Sequence, residues 1–263
     1  MDMVVVPAKD EEGRIHKVLK TLQKSFVQKI IVVVNGSSDN TMREIKALKM
    51  PQTEILFFRQ GLGIDVPRAV GAFHAFKTGA KTVAFVDGDM IGNIASHVND
   101  LIYSVKKGTD LALTNCYPVI TYSNALTEQI LLFRALLNVN LGIYNVIGVA
   151  SPSHGPHAVS RKLLELIDFK YFGVPPLVLS FAVKNKLTVK VSTTIPQSQL
   201  GSTLRDHIHA SKICDTIIGD TLEALNYFFD KPKSRRYLYR EFQGYNPERR
   251  FDILENIICR GVI

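Results

Sequence analysis

The sequence predicts an α/β fold: a mostly parallel, twisted sheet flanked by helices. Three observations lead there. Short β-branched runs alternate with helix-length amphipathic segments through the first half of the chain. Strands separated in this way pair in parallel through right-handed crossovers. Polar, glycine-bearing segments follow four of the runs, as expected where the strands of an open sheet end at a ligand-binding edge.

The first run is Val4–Val6. Arg14–Phe26 follows with Ile15, Val18, Leu19, Leu22 and Phe26 at helical spacing. Lys29–Val34 is a buried-type strand, and Ser38 or Asp39 caps a helix through Leu48. Glu54–Phe58 is the third strand, Val66–Thr78 a helix ending near Gly79, and Thr82–Val86 the fourth strand. Ser96–Lys106 is helical and Asp110–Thr114 is the fifth strand. Beyond it, Leu126–Val146 has the pattern of one long helix, and Gly148–His157 that of a loop rich in Gly, Pro, Ser and His. Arg161–Ile167 and Pro176–Lys186 follow as helices, Leu187–Val191 as a late strand and Leu204–Phe229 as a long amphipathic helix. The chain then divides softly at Asp230–Ser234. This gives one domain over 1–230, with halves 1–115 and 116–230, and a basic C-terminal extension over 231–263.

Composition narrows the function classes. A hydrophobic fraction of 46% over 263 residues supports a large core, which argues against disorder. Cys116, Cys214 and Cys259 form neither a disulfide framework nor a zinc pattern, so a reducing, cytoplasmic compartment is expected. The start of the chain runs into Val4-Val5-Val6 without the features of a signal peptide. The longest apolar region, Ile130–Ala150, is interrupted by Arg134, Asn138, Asn140 and Asn145 and suits a buried helix better than a membrane span. A net charge of +8 fits a phosphorylated small molecule or an anionic surface. No nucleic-acid motif accompanies it. Lys231, Lys233, Arg235, Arg236, Arg240, Arg249 and Arg250 concentrate near the C-terminus. They are expected to form a solvated tail, with peripheral membrane contact or a homodimer contact as the alternatives.

The four strand-end segments are Pro7-Ala8-Lys9-Asp10-Glu11-Glu12, Asn35-Gly36-Ser37-Ser38-Asp39-Asn40-Thr41, Gln60-Gly61-Leu62-Gly63 and Asp87-Gly88-Asp89. The last is chemically the sharpest. Gly88 lets the chain turn so that both carboxylates approach one ligand. Carboxylate oxygens suit Mg²⁺ or Mn²⁺, which keep positions open for phosphate. The same tripeptide also suits an ordinary turn, and its place beside three other polar strand ends favours the metal. Gly61 and Gly63 suit either a close backbone approach to phosphate or a plain turn. Arg68 suits either a phosphate contact or the surface. His154 and His157 lie in a loop of the kind that lines an acceptor site or simply faces solvent. His207 and His209 open a helix, where exposure or capping competes with metal binding.

These motifs resemble family-2-type glycosyltransferases. Val4 to Glu12 resembles the strand ending in Pro-Ala/Tyr-x-Glu-Glu, Ile31 to Thr41 the Asp-Gly-Ser-Ser-Asp-x-Thr turn, and Ala84 to Met90 the metal-binding Asp-x-Asp, in order and spacing across residues 3 to 115. Gly155 to Arg161 resembles the acceptor-side segment of the same enzymes. The resemblance implies a glycosyltransferase A-type, nucleotide-diphospho-sugar transferase fold. It implies a nucleotide-sugar-binding half over 1–115 and an acceptor half over 116–230. Pro7, Ala8, Lys9, Glu11, Asn35, Gly36, Gly61, Gly63, Arg68, Asp87 and Gly88 would then surround the nucleotide sugar, with Asn35 facing the base. Asp87 and Asp89 would hold the metal, and Ser153, His154, Gly155 and His157 would meet the acceptor.

Three departures accompany the resemblance. Asn35 replaces the usual Asp, and Leu62 stands where many relatives have Lys. Phe172 to Leu179 contains no carboxylate where inverting members carry their general base. The third departure points to retention, and the chain is similar to the glucosyl-3-phosphoglycerate synthase-like retaining branch. That branch uses a late histidine as a further ligand. Gln199 falls there, with His207 and His209 a few residues on. The expected activity is transfer of a sugar from a nucleotide-diphosphate donor to a phosphorylated small-molecule or lipid-linked acceptor. A sugar-phosphate nucleotidyltransferase and a non-catalytic sugar-nucleotide binder are the alternatives.

Overall fold

The computed structural model describes residues 1–120, 124–202 and 206–261. Its first half is β1 (Asp2–Ala8), α1 (Ile15–Leu22), β2 (Lys29–Asn35), α2 (Thr41–Ala47), β3 (Thr53–Phe58), α3 (Val66–Lys77), β4 (Thr82–Phe85), α4 (Ala95–Lys106) and β5 (Leu111–Asn115). The second half is α5 (Ala125–Asn140), α6 (Tyr144–Ile147), β6 (His157–Ser160), α7 (Arg161–Leu166), α8 (Pro175–Lys184), β7 (Val189–Thr194), α9 (Gln197–Leu200) and α10 (His207–Phe228). A hairpin of β8 (Arg236–Tyr237) and β9 (Arg240–Glu241) and a last helix, α11 (Phe251–Arg260), complete the order.

The main sheet runs β3-β2-β1-β4-β6-β5-β7. All neighbours are parallel except β6, which lies antiparallel between β4 and β5. Period-two alternation splits the core between the two faces. Met3, Val5, Ile31 and Val33 point into one layer with α3, α8 and α11. Val4, Val6, Ile30, Val32 and Val34 point into the other, with α1 and α4. The strands are therefore buried on both faces, which is why they appear as unbroken β-branched runs.

Helix α3 carries the edge of the site and sits very close to the sheet. A Cβ on Gly71 would lie 2.3 Å from Val5 Cγ1. Gly71→Ala should therefore push α3 off β1, destabilising the protein by about 1–3 kcal/mol. That outweighs the gain of about 1 kcal/mol in helix propensity. Urea melts measure the sign, and a stabilised variant would refute this packing.

Four expectations are corrected. Leu126–Val146 is not one helix: α5 ends at Asn140, Gly142 takes φ +72°, and α6 is a separate turn. His157 is not in a loop but opens β6, a strand of four residues too short to show a period. The late strand extends over Val189–Thr194 rather than Leu187–Val191. Arg235 and Arg249, expected in a solvated basic tail, are buried. The expected start of the last long helix at Leu204 lies outside the described residues. Among those residues no helix is long and apolar enough to cross a membrane.

Candidate active site

The ends of β1, β2 and β4 and the start of α3 converge at one edge, because parallel strands carry their following segments to the same side. The first two segments are laced together. Glu11 N donates to Thr41 Oγ1 at 2.7 Å, Glu12 N to Asp39 Oδ2 at 2.9 Å, and Ser38 N to Asp10 Oδ1 at 2.8 Å. Asp39 also accepts from Thr41 N at 2.9 Å, which starts α2. Asp10 takes φ +55°, a left-handed geometry that Asp tolerates better than most residues.

Gly88 sits on Pro7, Ala8 and Glu11. Its N–H donates to Pro7 O at 3.1 Å, and a Cβ there would meet Pro7 O at 2.9 Å. This contact sets Asp87 and Asp89 beside the β1 segment. Lys9 is exposed, with Nζ 3.9 Å from the position of a Cβ on Gly61.

The Asp87 carboxylate is bound by Arg68, whose other nitrogen binds Asp65. Burial pulls the Arg68 pKa down, but Asp87 and Asp65 outweigh it and leave the guanidinium firmly charged. Burial pushes the Asp87 and Asp65 carboxyls up, with Arg68 pulling against it in both. The Asp89 side chain makes no hydrogen bond or ion pair among the described residues. Its carboxylate is available to a ligand.

The Gly61–Gly63 loop is held from two sides. Asn35 turns its amide to the loop: Oδ1 accepts from Leu62 N at 2.6 Å and Nδ2 donates to Gly63 O at 3.0 Å. Both ends of the amide fix the loop, which leaves the second lone pair of Oδ1 and the second N–H of Nδ2 for a ligand. Gly63 is needed for a different close approach. It takes φ +83°, and a Cβ would lie 2.4 Å from Glu248 O and 2.8 Å from Arg249 Cα. The neighbour is the C-terminal segment. Gly36 in turn packs on Gly61, whose N lies 2.6 Å from a Cβ built on Gly36. Leu62 is fully buried.

The C-terminal segment extends the charge network inward. Arg249 grips Asp220 of α10 with both terminal nitrogens, at 2.6 and 2.7 Å, and reaches Asp65 at 3.0 Å. Arg235 shares Asp220 at 2.6 Å and Glu223 at 3.3 Å. A continuous ladder thus runs from Asp87 through Arg68, Asp65, Arg249 and Asp220 to Arg235. Sequence reasoning missed Asp65, Asp220 and the role of Arg249, because no local pattern marks partners so far apart in the chain.

On the other side of β4 lie the acceptor candidates. His154 stacks on Tyr117 with centroids 5.5 Å apart, and Ser151 and Ser153 share a hydrogen bond of 2.9 Å. Gly155 takes φ +74° against Cys116, whose Sγ would lie 2.5 Å from a Cβ. His157 stacks on Phe85 at 4.8 Å and is 3% exposed, so its ring belongs to the core. His207 and His209 begin α10, where Asp206 Oδ1 accepts from His209 N at 2.9 Å. The His209 ring is bonded to the Tyr245 hydroxyl at 2.8 Å, and His207 is exposed. Among the described residues no group of three His, Cys, Asp or Glu side chains gathers as a metal centre. The segment that meets the chain just beyond Asp89 is α9, with Gly92 N donating to Leu200 O at 2.9 Å.

Burial, then Arg134 and Arg68, brings the His154 pKa down to about 3. Burial, then Arg68, does the same for His157. A folded pKa far below the unfolded value near 6.5 means that the unfolded chain binds more protons as pH falls. Stability should therefore drop below pH 6.5, by up to about 1.4 kcal/mol per pH unit for each ring. His157→Phe keeps the stack and should remove one proton's worth of that slope in urea melts at pH 7, 6 and 5. An unchanged slope would show that His157 titrates normally.

Residues 3–164 match the family model described as glycosyl transferase family 2. Two solved structures of glucosyl-3-phosphoglycerate synthase from Mycobacterium tuberculosis resemble the chain. The first, bound to Mn²⁺, uridine diphosphate and phosphoglyceric acid, has a TM-score of 0.62 at 19% identity, over 89% of this chain and 80% of that one. The second, bound to Mn²⁺, uridine-diphosphate-glucose and phosphoglyceric acid, has a TM-score of 0.63 at 19% identity, over 89% and 81%. A structure described as a mycobacterial protein has a TM-score of 0.64 at 18% identity, over 89% and 76%. At these identities the likeness is one of fold. No curated protein sequence matches the chain.

Proposed function

The chain belongs to glycosyl transferase family 2, and from that premise we propose that it transfers a sugar from a nucleoside-diphosphate donor to a phosphorylated acceptor, with retention. The observation that carries this is the corner at the end of β4, where Asp89 is unengaged among the described residues and Asp87 is held by Arg68 beside the β1 segment.

The donor set fits a divalent cation. Two carboxylates on one turn, one without a protein partner among the described residues, leave most coordination positions to phosphate and water, as Mg²⁺ and Mn²⁺ prefer. Asp89 and Asp87 would hold the ion, which would neutralise the departing diphosphate. Arg68 is a fixed, charged guanidinium at that corner, and Lys9 is a second cation at the Gly61 edge. Together they would orient the diphosphate and take up charge as the glycosidic bond breaks. The ribose would lie over Pro7, Ala8 and Gly88. Retention is supported by the 172–177 segment, which is buried and apolar and offers no carboxylate to an acceptor hydroxyl.

The acceptor would enter from the Ser153–Gly155 side. A lipid-linked acceptor would need a membrane-facing surface, and the C-terminal segment offers fewer free cations than its composition suggests. Lys233 pairs with Glu223, Arg240 with Asp215 and Arg250 with Asp252, while Arg235 and Arg249 are buried. A small phosphorylated acceptor is therefore favoured.

Calorimetry with Mn²⁺ and UDP-, GDP- and ADP-sugars tests the reading, followed by product analysis with phosphorylated acceptors. Binding of one donor and formation of an α-linked product from an α-linked donor are expected. Absence of binding by all donors would overturn it. Binding without turnover over any acceptor would favour a non-catalytic sugar-nucleotide protein, which the buried Leu62 and the engaged Asn35 would suit.

A further inference from the structure

We propose that Arg134, with Tyr117, Ser153 and His154 around it, is an oxyanion-holding subsite that takes the phosphoryl or carboxylate group of the acceptor. The word acceptor rests on the transferase reading above; the binding of an oxyanion does not.

Arg134 is the anomaly among the buried and partly buried arginines of the core. Arg68, Arg235 and Arg249 are each held by two carboxylates. Arg134 on α5 is 3% exposed and pairs with no carboxylate among the described residues. Its Nη2 donates to Ser153 Oγ at 3.3 Å, the Tyr117 hydroxyl is within bonding reach, and its Nε has no partner. A buried cation left unmatched costs several kcal/mol, so proteins rarely keep one without a use.

Its surroundings are also incompletely bonded. His154 Nε2 is buried without a partner among the described residues. Native interiors seldom leave such groups unsatisfied, and this nitrogen together with Arg134 Nε points to a missing polar occupant. The planar guanidinium favours a bidentate oxyanion. Burial lowers the Arg134 pKa, as expected for a cation awaiting a counter-charge.

Placement fits the acceptor rather than the donor. β6 opens at His157 opposite Phe85, so the 151–155 loop that leads into it lies beside the end of β4 and the Asp87–Arg68 corner. Its residues come from the end of β5, from α5 and from the 151–155 loop, none of which belongs to the three segments around β1, β2 and α3. Sequence reasoning used Arg134 only as an interruption that argued against a membrane span. The same interruption was the signal for this subsite.

Inorganic phosphate is the probe, titrated calorimetrically with Mn²⁺ and UDP saturating so that the donor side is filled. Wild type should bind phosphate, and Arg134→Met should weaken it about 30-fold or more. Glycerate and glycerol phosphate, added as competitors, separate carboxylate from phosphoryl preference. Mn²⁺–UDP affinity should stay within about twofold. Without phosphate, Arg134→Met should melt at or above wild type, because an unmatched buried charge has been removed. Phosphate should raise the wild-type Tm and leave that of the variant unchanged. Equal phosphate affinity in both proteins overturns the proposal. So does failure of Arg134→Met to fold, because the fold would then depend on the charge. If Mn²⁺ and UDP do not bind at all, the transferase reading fails. The phosphate titration without them, wild type against Arg134→Met, still decides the subsite.

Discussion

Asp89→Ala is expected to lower sugar transfer by about a thousandfold or more while leaving the melting curve in place. The Asp89 side chain has no protein partner among the described residues, so its removal breaks nothing in the fold. Its loss would take away half of the carboxylate set proposed to hold the metal. Asp87→Ala should also abolish transfer, but with a second effect. It strips one of two carboxylates from the partly buried Arg68. About 1–3 kcal/mol of stability should go with it. Activity assays, Mn²⁺ titration and urea melts on both variants separate the two roles. Equal destabilisation by both substitutions would refute the division of labour, and an active Asp89→Ala would refute the metal site.

Arg249→Ala is expected to have the largest effect on stability, about 3–5 kcal/mol. The side chain is fully buried and holds Asp220 through two nitrogens and Asp65 through one. Its removal leaves two buried carboxylates each short of one partner. The effect should spread, because Arg249 Nε also holds Ile64 O at 3.3 Å and Arg250 N holds Leu62 O at 2.9 Å. The 61–65 loop should loosen, and Mn²⁺–nucleotide affinity should fall even at temperatures where the variant is folded. Arg249→Lys keeps the charge without the fork and should recover part of the stability. Melts with and without nucleotide check both claims. A loss below about 1 kcal/mol would mean that the ladder is incidental.

The sheet was legible because its physics is local. Val4–Val6, Ile30–Val34 and Thr82–Phe85 are buried on both faces and stand out as apolar runs. Asp87-Gly88-Asp89 was legible because a parallel topology sends every strand-end segment to one edge. β6 escaped notice because its four residues are fixed by antiparallel pairing with β4 and β5 rather than by a pattern of their own. What Asn35 and Gly63 touch within the protein was not legible, because a sequence lists residue types without their neighbours: Asn35 fixes Leu62 and Gly63, and Gly63 packs on Glu248 and Arg249. The break in α5 had a visible marker in Gly142, but an interior glycine does not by itself distinguish a tolerated position from a helix end.

The backbone of Glu248 and Arg249 lying over Gly63 also fixes an order in time. A ribosome makes the Gly61–Arg68 stretch long before it makes Arg249. At about 5–20 residues per second, the earlier stretch waits roughly ten to forty seconds. Throughout that interval Asp65 lacks one of its two guanidinium partners and the loop beside it has no cover. A nascent chain can therefore form most of its sheet early, yet the Asp65–Arg68 corner matures only when translation has passed the last helix junction.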